Sequence, residues 1–199
     1  MVNKLSIGVI GIQGAISEHI YSMRNTLKNN NISGNVFIIN NKKDIDNIDA
    51  LLLPGGESTT IIKIMNKSGI YNHILKRINK DDLPIMGTCA GCILLSSKIK
   101  DNSENIKPLS AMEMQIKRNA FGRQKESFET NIKIKGFSKP YNAVFIRAPI
   151  IEKVWGKCKI LSKIDKKIIM VRQNNFLATV FHPELTEDTS IHKYFLDMI

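Results

Sequence analysis

The chain has 199 residues, 43 % of them apolar and 24 % charged, which is the composition of a globular protein with a hydrophobic core. Its 29 basic and 18 acidic residues give a formal net charge of +11. These values exclude a disordered or fibrous chain, and no apolar run approaches the ~20 residues of a membrane-spanning helix. We expect one domain over residues 1–199 that does not enter a membrane.

The first half alternates short apolar runs with amphipathic stretches, a pattern typical of parallel strands joined by helices. Ile16, Ile20, Met23 and Leu27 recur at helical spacing and predict a helix at residues 14–29. By the same reasoning, strands are predicted at residues 5–12, 36–39, 50–53 and 84–87. Further helices are predicted at residues 57–67, 71–79 and 88–97.

The second half contains mainly short strands. They are predicted at residues 112–117, 129–135, 143–147, 157–163, 168–172 and 176–180, and are followed by a helix at 187–198. Connections of hairpin length cannot join parallel strands, so some of these strands must pair antiparallel. We therefore predict an α/β fold, with a mostly parallel central sheet flanked by helices and a smaller antiparallel portion.

The cysteine content and the charge bear on location and partners. Three cysteines are too few for a disulfide scaffold and fit a reducing compartment, and the N-terminal residues do not read as an export signal. We therefore expect a cytoplasmic protein. The lysines are scattered along the chain, without aromatic residues spaced for base stacking. A basic solvated surface is thus favoured over a nucleic-acid partner.

Cys89 follows a predicted strand directly, lies between small residues and precedes a predicted helix. This is the arrangement of a nucleophile elbow, in which a tight turn exposes the reactive side chain. A position at the start of a helix also favours the thiolate form. The alternative is that Cys89 is a small buried apolar residue.

His182 and Glu184 follow the predicted strand at residues 176–180. Residues i and i+2 of an extended chain point to the same side, so the Glu184 carboxylate can orient the His182 imidazole. A cysteine, a base and a group that orients the base form a catalytic triad. Taken alone, His182 is better interpreted as a structural histidine. Together with the elbow at Cys89, the triad is the favoured interpretation.

A Gly55-Gly56 turn stands between a predicted strand and a predicted helix. Backbone N–H groups at such a turn can hold an oxyanion or a carboxylate. Alternatively, Ser58 and Thr59 only cap the helix.

Six segments together resemble the glutaminase subunit of pyridoxal 5'-phosphate synthase. They are GVIGIQGAISEH, LLLPGGESTT, GTCAG, RNAFGRQKESFE, VFIRAP and FHPELTEDTSIHKYF, which extend from the first predicted strand to the last helix. GTCAG and HPE indicate only the superfamily, the class I triad-type glutamine amidotransferases with a flavodoxin-like fold. The PGGEST, FGRQ-x-x-SFE and FIRAP segments are specific to this branch.

The resemblance implies a role for each matching residue. Cys89 would attack the side-chain amide of L-glutamine, His182 would pass a proton to the leaving ammonia, and Glu184 would orient His182. The oxyanion hole would consist of the backbone N–H groups of Gly56 and Ala90. Glutamine would be bound by Gly56, Glu57, Ser58, Arg118, Ile146 and Arg147. Gln13 would lie near the active site at the interface with the synthase.

The resemblance also implies the partner. Ammonia would pass to a synthase subunit, a (β/α)8 barrel that combines it with ribose 5-phosphate and glyceraldehyde 3-phosphate. The two subunits would form a large hetero-oligomer, in which docking activates a weak free glutaminase. No metal or organic cofactor is expected. A different acceptor enzyme, such as imidazole glycerol phosphate synthase, is the nearest alternative, and a non-catalytic binding module is a more distant one.

Cys92 departs from the aliphatic residue that the family usually has and creates a C-x-x-C spacing with Cys89. This spacing also occurs in thioredoxin-like redox sites. A zinc site formed by Cys89, Cys92, His182 and His192 is disfavoured because the two histidines are ten residues apart. We expect Cys92 to pack within the helix.

Overall fold

The computed structural model describes residues 4–118 and 127–199. Its strands are β1 Leu5–Ile10, β2 Gly34–Ile39, β3 Ala50–Leu53, β4 Ile85–Thr88, β5 Ser96–Lys100, β6 Met112–Lys117, β7 Ser127–Ile132, β8 Tyr141–Ile146, β9 Ile150–Val154, β10 Lys159–Ile164, β11 Lys167–Gln173 and β12 Phe176–Thr179. Its helices are α1 Ile16–Asn29, α2 Ser58–Ser68, α3 Ile70–Asn79, α4 Ala90–Leu95 and α5 Ser190–Leu196, with 3₁₀ helices at Lys42–Asn47 and Pro183–Leu185.

One large sheet organises the described residues. Its strand order is β2-β1-β3-β4-β12-β11-β9-β6-β5, and β10 pairs with β11 beside this path. The pairs from β2 to β12 are parallel, as are β5 and β6, whereas the remaining pairs of this sheet are antiparallel. Strands β7 and β8 form a separate antiparallel hairpin. The predicted α/β fold, with a parallel region and an antiparallel portion, is confirmed.

Burial explains why the first-half strands were recognisable. All four residues of β3 and all four of β4 are buried, because helices cover both faces of a parallel sheet and leave no polar face. In β6 buried and less buried residues alternate, which is typical of a strand with one face on the core. A continuous hydrophobic cluster extends from Ile7 to Leu196.

Each predicted strand and helix is present. Both ends of β3 and of β6 are as predicted, the other predicted elements are shifted at one end or both, and strands β5 and β9 were not predicted. The helix predicted at residues 88–97 is wrong at its C-terminal end, because α4 stops at Leu95 and the chain continues as β5. Strand β5 carries two lysines and lies at the edge of the sheet, where charged residues are tolerated. Strand β9 is only five residues long and has no regular alternation in burial.

Residues 119–126, which belong to the RNAFGRQKESFE segment quoted for the resemblance, lie outside the described residues. Within residues 4–118 and 127–199, no helix combines the length and apolar character needed to cross a membrane.

Two glycines allow α4 to pack closely against the sheet. A Cβ atom on Gly91 would lie 2.0 Å from the carbonyl oxygen of Leu53. A Cβ on Gly87 would lie 2.6 Å from the backbone of Gly91. Because these neighbours are backbone atoms, they cannot move aside as a flexible side chain could. The turn between β4 and α4 therefore depends on two positions without a side chain.

We predict that Gly91→Ala lowers the free energy of unfolding by about 3 kcal/mol, since overpacking a rigid contact forces the backbone to shift. Gly136→Ala is the matched control, because no atom lies within 4 Å of its added Cβ, although its φ is +89°. The control should cost only about 1 kcal/mol, from the left-handed backbone alone. Urea denaturation of both variants measures the difference, and equal losses would contradict this account.

Candidate active site

Cys89 occupies the sharp turn between β4 and α4. Its φ is 50° and its ψ is −103°, a strained backbone conformation for a residue other than glycine. The Cys89 N–H donates a 2.9 Å hydrogen bond to the carbonyl oxygen of Thr179, at the end of β12. The Cys89 carbonyl accepts a hydrogen bond from Ile93 in α4. The predicted elbow geometry at Cys89 is therefore confirmed.

His182 and Glu184 lie just beyond the end of β12. The His182 backbone N–H donates a 2.8 Å hydrogen bond to Val144 in β8. Its ring Nδ1 lies 2.7 Å from Glu184 Oε1. The predicted contact between the two side chains is confirmed, but the extended geometry predicted for it is wrong. Glu184 lies within the 3₁₀ helix Pro183–Leu185, which Pro183 begins, and this turn brings its carboxylate back to the ring.

The electrostatic environment holds this pair in its charged form. Burial lowers the pKa of His182, but hydrogen bonds to Cys89 and Glu184 more than offset burial and raise the pKa to about 10. Burial raises the pKa of Glu184, but the neighbouring His19 and His182 outweigh it and lower the pKa overall. At neutral pH an imidazolium therefore faces a carboxylate, and His182 donates from Nδ1.

Gly55 lets His182 and Cys89 approach each other. A Cβ atom at this position would lie 2.7 Å from His182 Cε1 and 3.3 Å from Cys89 Cβ. The Gly-Gly turn was recognised in the sequence as a place for backbone N–H groups. Its first glycine has the additional task of leaving room for the imidazole ring.

Glu57 caps helix α2. Its carboxylate accepts hydrogen bonds from the backbone N–H groups of Thr59 and Thr60 at 2.9 and 2.6 Å. Partial burial raises the pKa of Glu57, but these backbone N–H groups outweigh it and bring the pKa to about 2. The alternative interpretation, in which Ser58 and Thr59 cap the helix, is wrong.

The Gly56 turn is tied to the first βα loop. The Gln13 side-chain oxygen accepts a 3.1 Å hydrogen bond from the Glu57 N–H. Gly14 packs so closely on Gly55 that a Cβ would lie 2.0 Å from the Gly55 carbonyl oxygen. Gly56 itself has a φ of +132°, which favours glycine. Gln13 therefore supports the turn that carries Gly56.

Arg118 lies between two carboxylates. Its guanidinium nitrogens are 3.3 Å from Glu57 Oε1 and 3.1 Å from Glu104 Oε2. Glu104 also accepts a hydrogen bond from the Thr59 hydroxyl. The guanidinium plane is thus oriented by an acidic network.

A cavity of about 460 Å³ brings the candidate residues together. It is lined by Gln13, Gly56, Glu57, Ser58, Cys89, Ala90, Ile93, Arg118, Ile146, Arg147, Pro149 and His182. Every candidate site residue from the sequence is in this set except Glu184, which lies buried behind His182. Cys89 Sγ is 3.9 Å from the Ile146 carbonyl oxygen, and Arg147 has a φ of 44°. Strained backbone therefore flanks the cavity at Cys89 and at Arg147.

Cys92 faces the hydrophobic core, as expected. It is fully buried, and burial raises the pKa of its thiol well above the ordinary value. Cys89, Cys92 and Cys158 are all free thiols. A buried, protonated Cys92 does not favour the thioredoxin-like interpretation, which needs a thiolate able to exchange.

The sequence reasoning missed two residues of the site and one role of a third. The two residues are Glu104, which contacts Arg118, and His19, which is buried beside Glu184. The missed role is that of Gly55, which leaves room for the His182 imidazole. His19 lies on the same face of α1 as Ile16 and Met23, at helical spacing. A histidine on the apolar stripe of a helix was the available signal.

Comparison with known proteins agrees with this geometry. Residues 9–199 match the SNO glutamine amidotransferase family. The chain belongs to this family. A relative from Thermococcus kodakarensis is 42 % identical over 96 % of this chain and 98 % of its own length, and is named pyridoxal 5'-phosphate synthase subunit PdxT. A relative from Brevibacillus brevis has the same name, with 42 % identity over 98 % of this chain and 97 % of its own length.

A solved structure supports the same assignment. The amidotransferase superposes on a crystal structure of a glutamine amidotransferase with a TM-score of 0.86 and 38 % identity, covering 96 % of this chain and 97 % of that one. A Thermotoga maritima glutamine amidotransferase, 11 % identical with a TM-score of 0.61 over 98 % and 82 % of the two chains, shares the fold alone. The expected family and fold are therefore confirmed.

The raised pKa of His182 predicts a pH-dependent stability. Folding raises this pKa from its ordinary value of 6.5 to about 10. The stabilising contribution of the imidazolium is therefore fully present below 6.5 and is lost as the pH rises through about 10. We expect the stability advantage of the wild type over His182→Asn to shrink steadily across this range. Urea denaturation at a series of pH values measures it, and an advantage independent of pH would contradict the raised pKa.

Proposed function

We propose that this chain is the glutaminase subunit of a pyridoxal 5'-phosphate synthase. It hydrolyses L-glutamine to L-glutamate and ammonia and supplies the ammonia to a separate synthase subunit. The observation that carries the proposal is the arrangement at one cavity, where Cys89 on a strained elbow meets an imidazolium that is hydrogen-bonded to Glu184. Relatives about as long as this chain are named as subunits of that synthase.

In the proposed mechanism, the Cys89 thiolate, whose proton is held by His182, attacks the side-chain amide carbon of glutamine. The backbone N–H groups of Gly56 and Ala90 stabilise the negative charge on the carbonyl oxygen. His182 gives a proton to the departing nitrogen, which leaves as ammonia, and a γ-glutamyl thioester remains on Cys89. The pKa of about 10 keeps His182 protonated at neutral pH, so the proton for the departing nitrogen is in place before the attack.

Hydrolysis of the thioester completes the cycle. His182, now neutral, removes a proton from a water molecule that attacks the thioester carbon. The second tetrahedral intermediate expels the Cys89 thiolate and releases glutamate. Glu184 accepts the hydrogen bond from His182 Nδ1 throughout and so keeps the imidazole in one orientation and one tautomer.

Residues that line the cavity supply the groups that bind glutamine. We assign the α-carboxylate to the guanidinium side chains of Arg118 and Arg147, and the α-ammonium group to Glu57. Gly56, Ser58 and Ile146 shape the cavity around the substrate side chain. Glu57 and Glu104 hold Arg118 in a fixed plane, so the arginine is oriented before glutamine enters.

We propose that the ammonia acceptor is a (β/α)8-barrel synthase within a large hetero-oligomer. Gln13 is exposed, lines the cavity and is hydrogen-bonded to the turn that carries Gly56. A subunit docked on this loop would contact the Gln13 amide and act through it on the Glu57 N–H, which follows Gly56 in the same turn. Docking would thereby complete the oxyanion hole, which explains why the free subunit is expected to be a weak glutaminase.

Cys89→Ala should abolish glutamate release, by at least about 10³-fold, because it removes the nucleophile. The measurement is glutamate release from glutamine with and without the synthase subunit, which should increase the activity of the wild type. Cys158→Ala is the matched control, because Cys158 is also a buried free thiol but lies away from the cavity.

Each other outcome of this experiment corrects a different part of the proposal. A Cys89→Ala variant as active as the wild type would show that Cys89 is not the nucleophile. Activity that rises only with another acceptor enzyme, such as imidazole glycerol phosphate synthase, would keep the glutaminase and replace the partner.

Arg118→Lys should raise the KM for glutamine about tenfold and change kcat less, because lysine supplies a point charge in place of a planar fork. Arg172→Lys is the control: this arginine contacts Tyr194 and lies outside the cavity. Steady-state kinetics with the synthase present measures both constants. A KM unchanged by Arg118→Lys would remove Arg118 from the glutamine-binding groups.

A further inference from the structure

A pair of buried histidines lies behind the candidate triad. His19 on α1 and His192 on α5 are both fully buried, and their ring centroids are 6.0 Å apart. His192 has no hydrogen-bond partner on either ring nitrogen among the described residues. A buried imidazole without partners costs stability, and the charged form would cost much more than the neutral one. Burial brings the pKa of His192 to about 3, so its ring is neutral.

His19 differs from His192 because it contacts the triad. Its Nε2 lies 3.1 Å from Thr88 Oγ1, on the residue before Cys89, and 3.5 Å from Glu184 Oε2. Glu184 uses its other oxygen, Oε1, for His182. Within residues 4–118 and 127–199, Oε2 accepts no hydrogen bond of ordinary geometry, and His19 Nε2 approaches it at 3.5 Å. His19 Nε2 is therefore placed to face the free side of a buried carboxylate.

The protonation state of His19 follows from its surroundings. Burial lowers its pKa, and the opposing effect of Glu184 is smaller, so the ring is neutral at neutral pH. A neutral imidazole carries its proton on one nitrogen only. With the proton on Nδ1, the Nε2 lone pair would point at the carboxylate and repel it. With the proton on Nε2, the N–H dipole points at Thr88 and Glu184 and attracts both oxygens.

We propose that His19 is a positioning residue for the amidotransferase reaction. Its Nε2–H holds the outer side of the Glu184 carboxylate and, through Thr88, the start of the Cys89 elbow. This inference rests on the proposed function, in which Glu184 orients His182. The carboxylate is held on one side by the imidazole it orients and on the other by His19, so it cannot rotate away from His182.

The charged and titratable groups around His19 determine how its loss would change the pKa of His182. The titratable groups around His19 and Glu184 are Glu18 beside it on α1, His192 on α5, Tyr141 on β8, and His182 and Cys89 at the cavity. Losing the His19 N–H would destabilise the ionised form of Glu184. A less stable carboxylate holds the His182 proton less firmly, so the pKa of His182 would fall.

His19→Leu is expected to lower kcat about 10- to 100-fold with KM nearly unchanged, the usual loss when an outer hydrogen-bond partner is removed. The alkaline limb of the pH–rate profile should move to lower pH. His192→Leu is the matched control, because it removes an equally buried imidazole that has no partner. The control should leave both kcat and the profile unchanged.

A second pair of variants keeps the test decisive if His19→Leu does not fold. The amide nitrogen of His19→Gln reaches the position of Nε2, whereas that of His19→Asn reaches only the position of Nδ1. Glutamine should therefore restore most of the activity and asparagine should not. Equal activities of the two variants, or an equal loss in His192→Leu, would overturn the proposal.

A spectroscopic measurement separates this proposal from the proposed function. The proton NMR signal of His182 Nδ1–H reports its hydrogen bond to Glu184 without any turnover. It should shift or broaden in His19→Leu and remain in His192→Leu. An unchanged signal in His19→Leu would refute the positioning role even in an active enzyme. The signal could shift in His19→Leu although the wild type releases no glutamate. That result would refute the glutaminase function and would still support the contact between His19 and Glu184.

Discussion

The parallel pairing of β4 with β12 is the constraint on which the site depends. Thr88 pairs with Thr179 in this register, so the two strands end side by side. The chain turns sharply into α4 after one strand and into a 3₁₀ helix after the other. Cys89 and His182, which are 93 positions apart, thus meet at the carboxyl ends of two central strands, where open α/β sheets place their sites. Gly55, Gly87 and Gly91 have no side chain and therefore allow this close approach.

Burial gives the site its chemical character and also sets its cost. Glu184 is almost fully buried, and an isolated carboxylate there would take up a proton to avoid its desolvation. The imidazole of His182 on one side and the N–H of His19 on the other keep it ionised. The same ion pair raises the pKa of His182. One buried charge therefore determines the protonation state of the group that faces the cavity.

The sequence predicted the helices and strands more completely than the side-chain contacts between distant segments. Hydrophobic periodicity revealed each helix and most strands, because buried strands and amphipathic helices have a local signature. Strand β5 lacked this signature, since its lysines lie at a sheet edge. The motifs identified the residues around the cavity, whereas His19 and Glu104 act through contacts with distant segments. Such contacts depend on tertiary packing, and the spacing of residues does not encode them.

Stability is given up at several places around the cavity. Cys89 and Arg147 have positive φ angles, and His192 has two buried nitrogens without partners in the described chain. Each of these features costs free energy that the apolar core must offset. Their clustering near the carboxylate and the elbow is expected if reactive geometry, rather than stability, determines these positions. The His192 ring packs against His19 and is neutral at neutral pH. Because it carries no charge, His192 does not weaken the ion pair between His182 and Glu184.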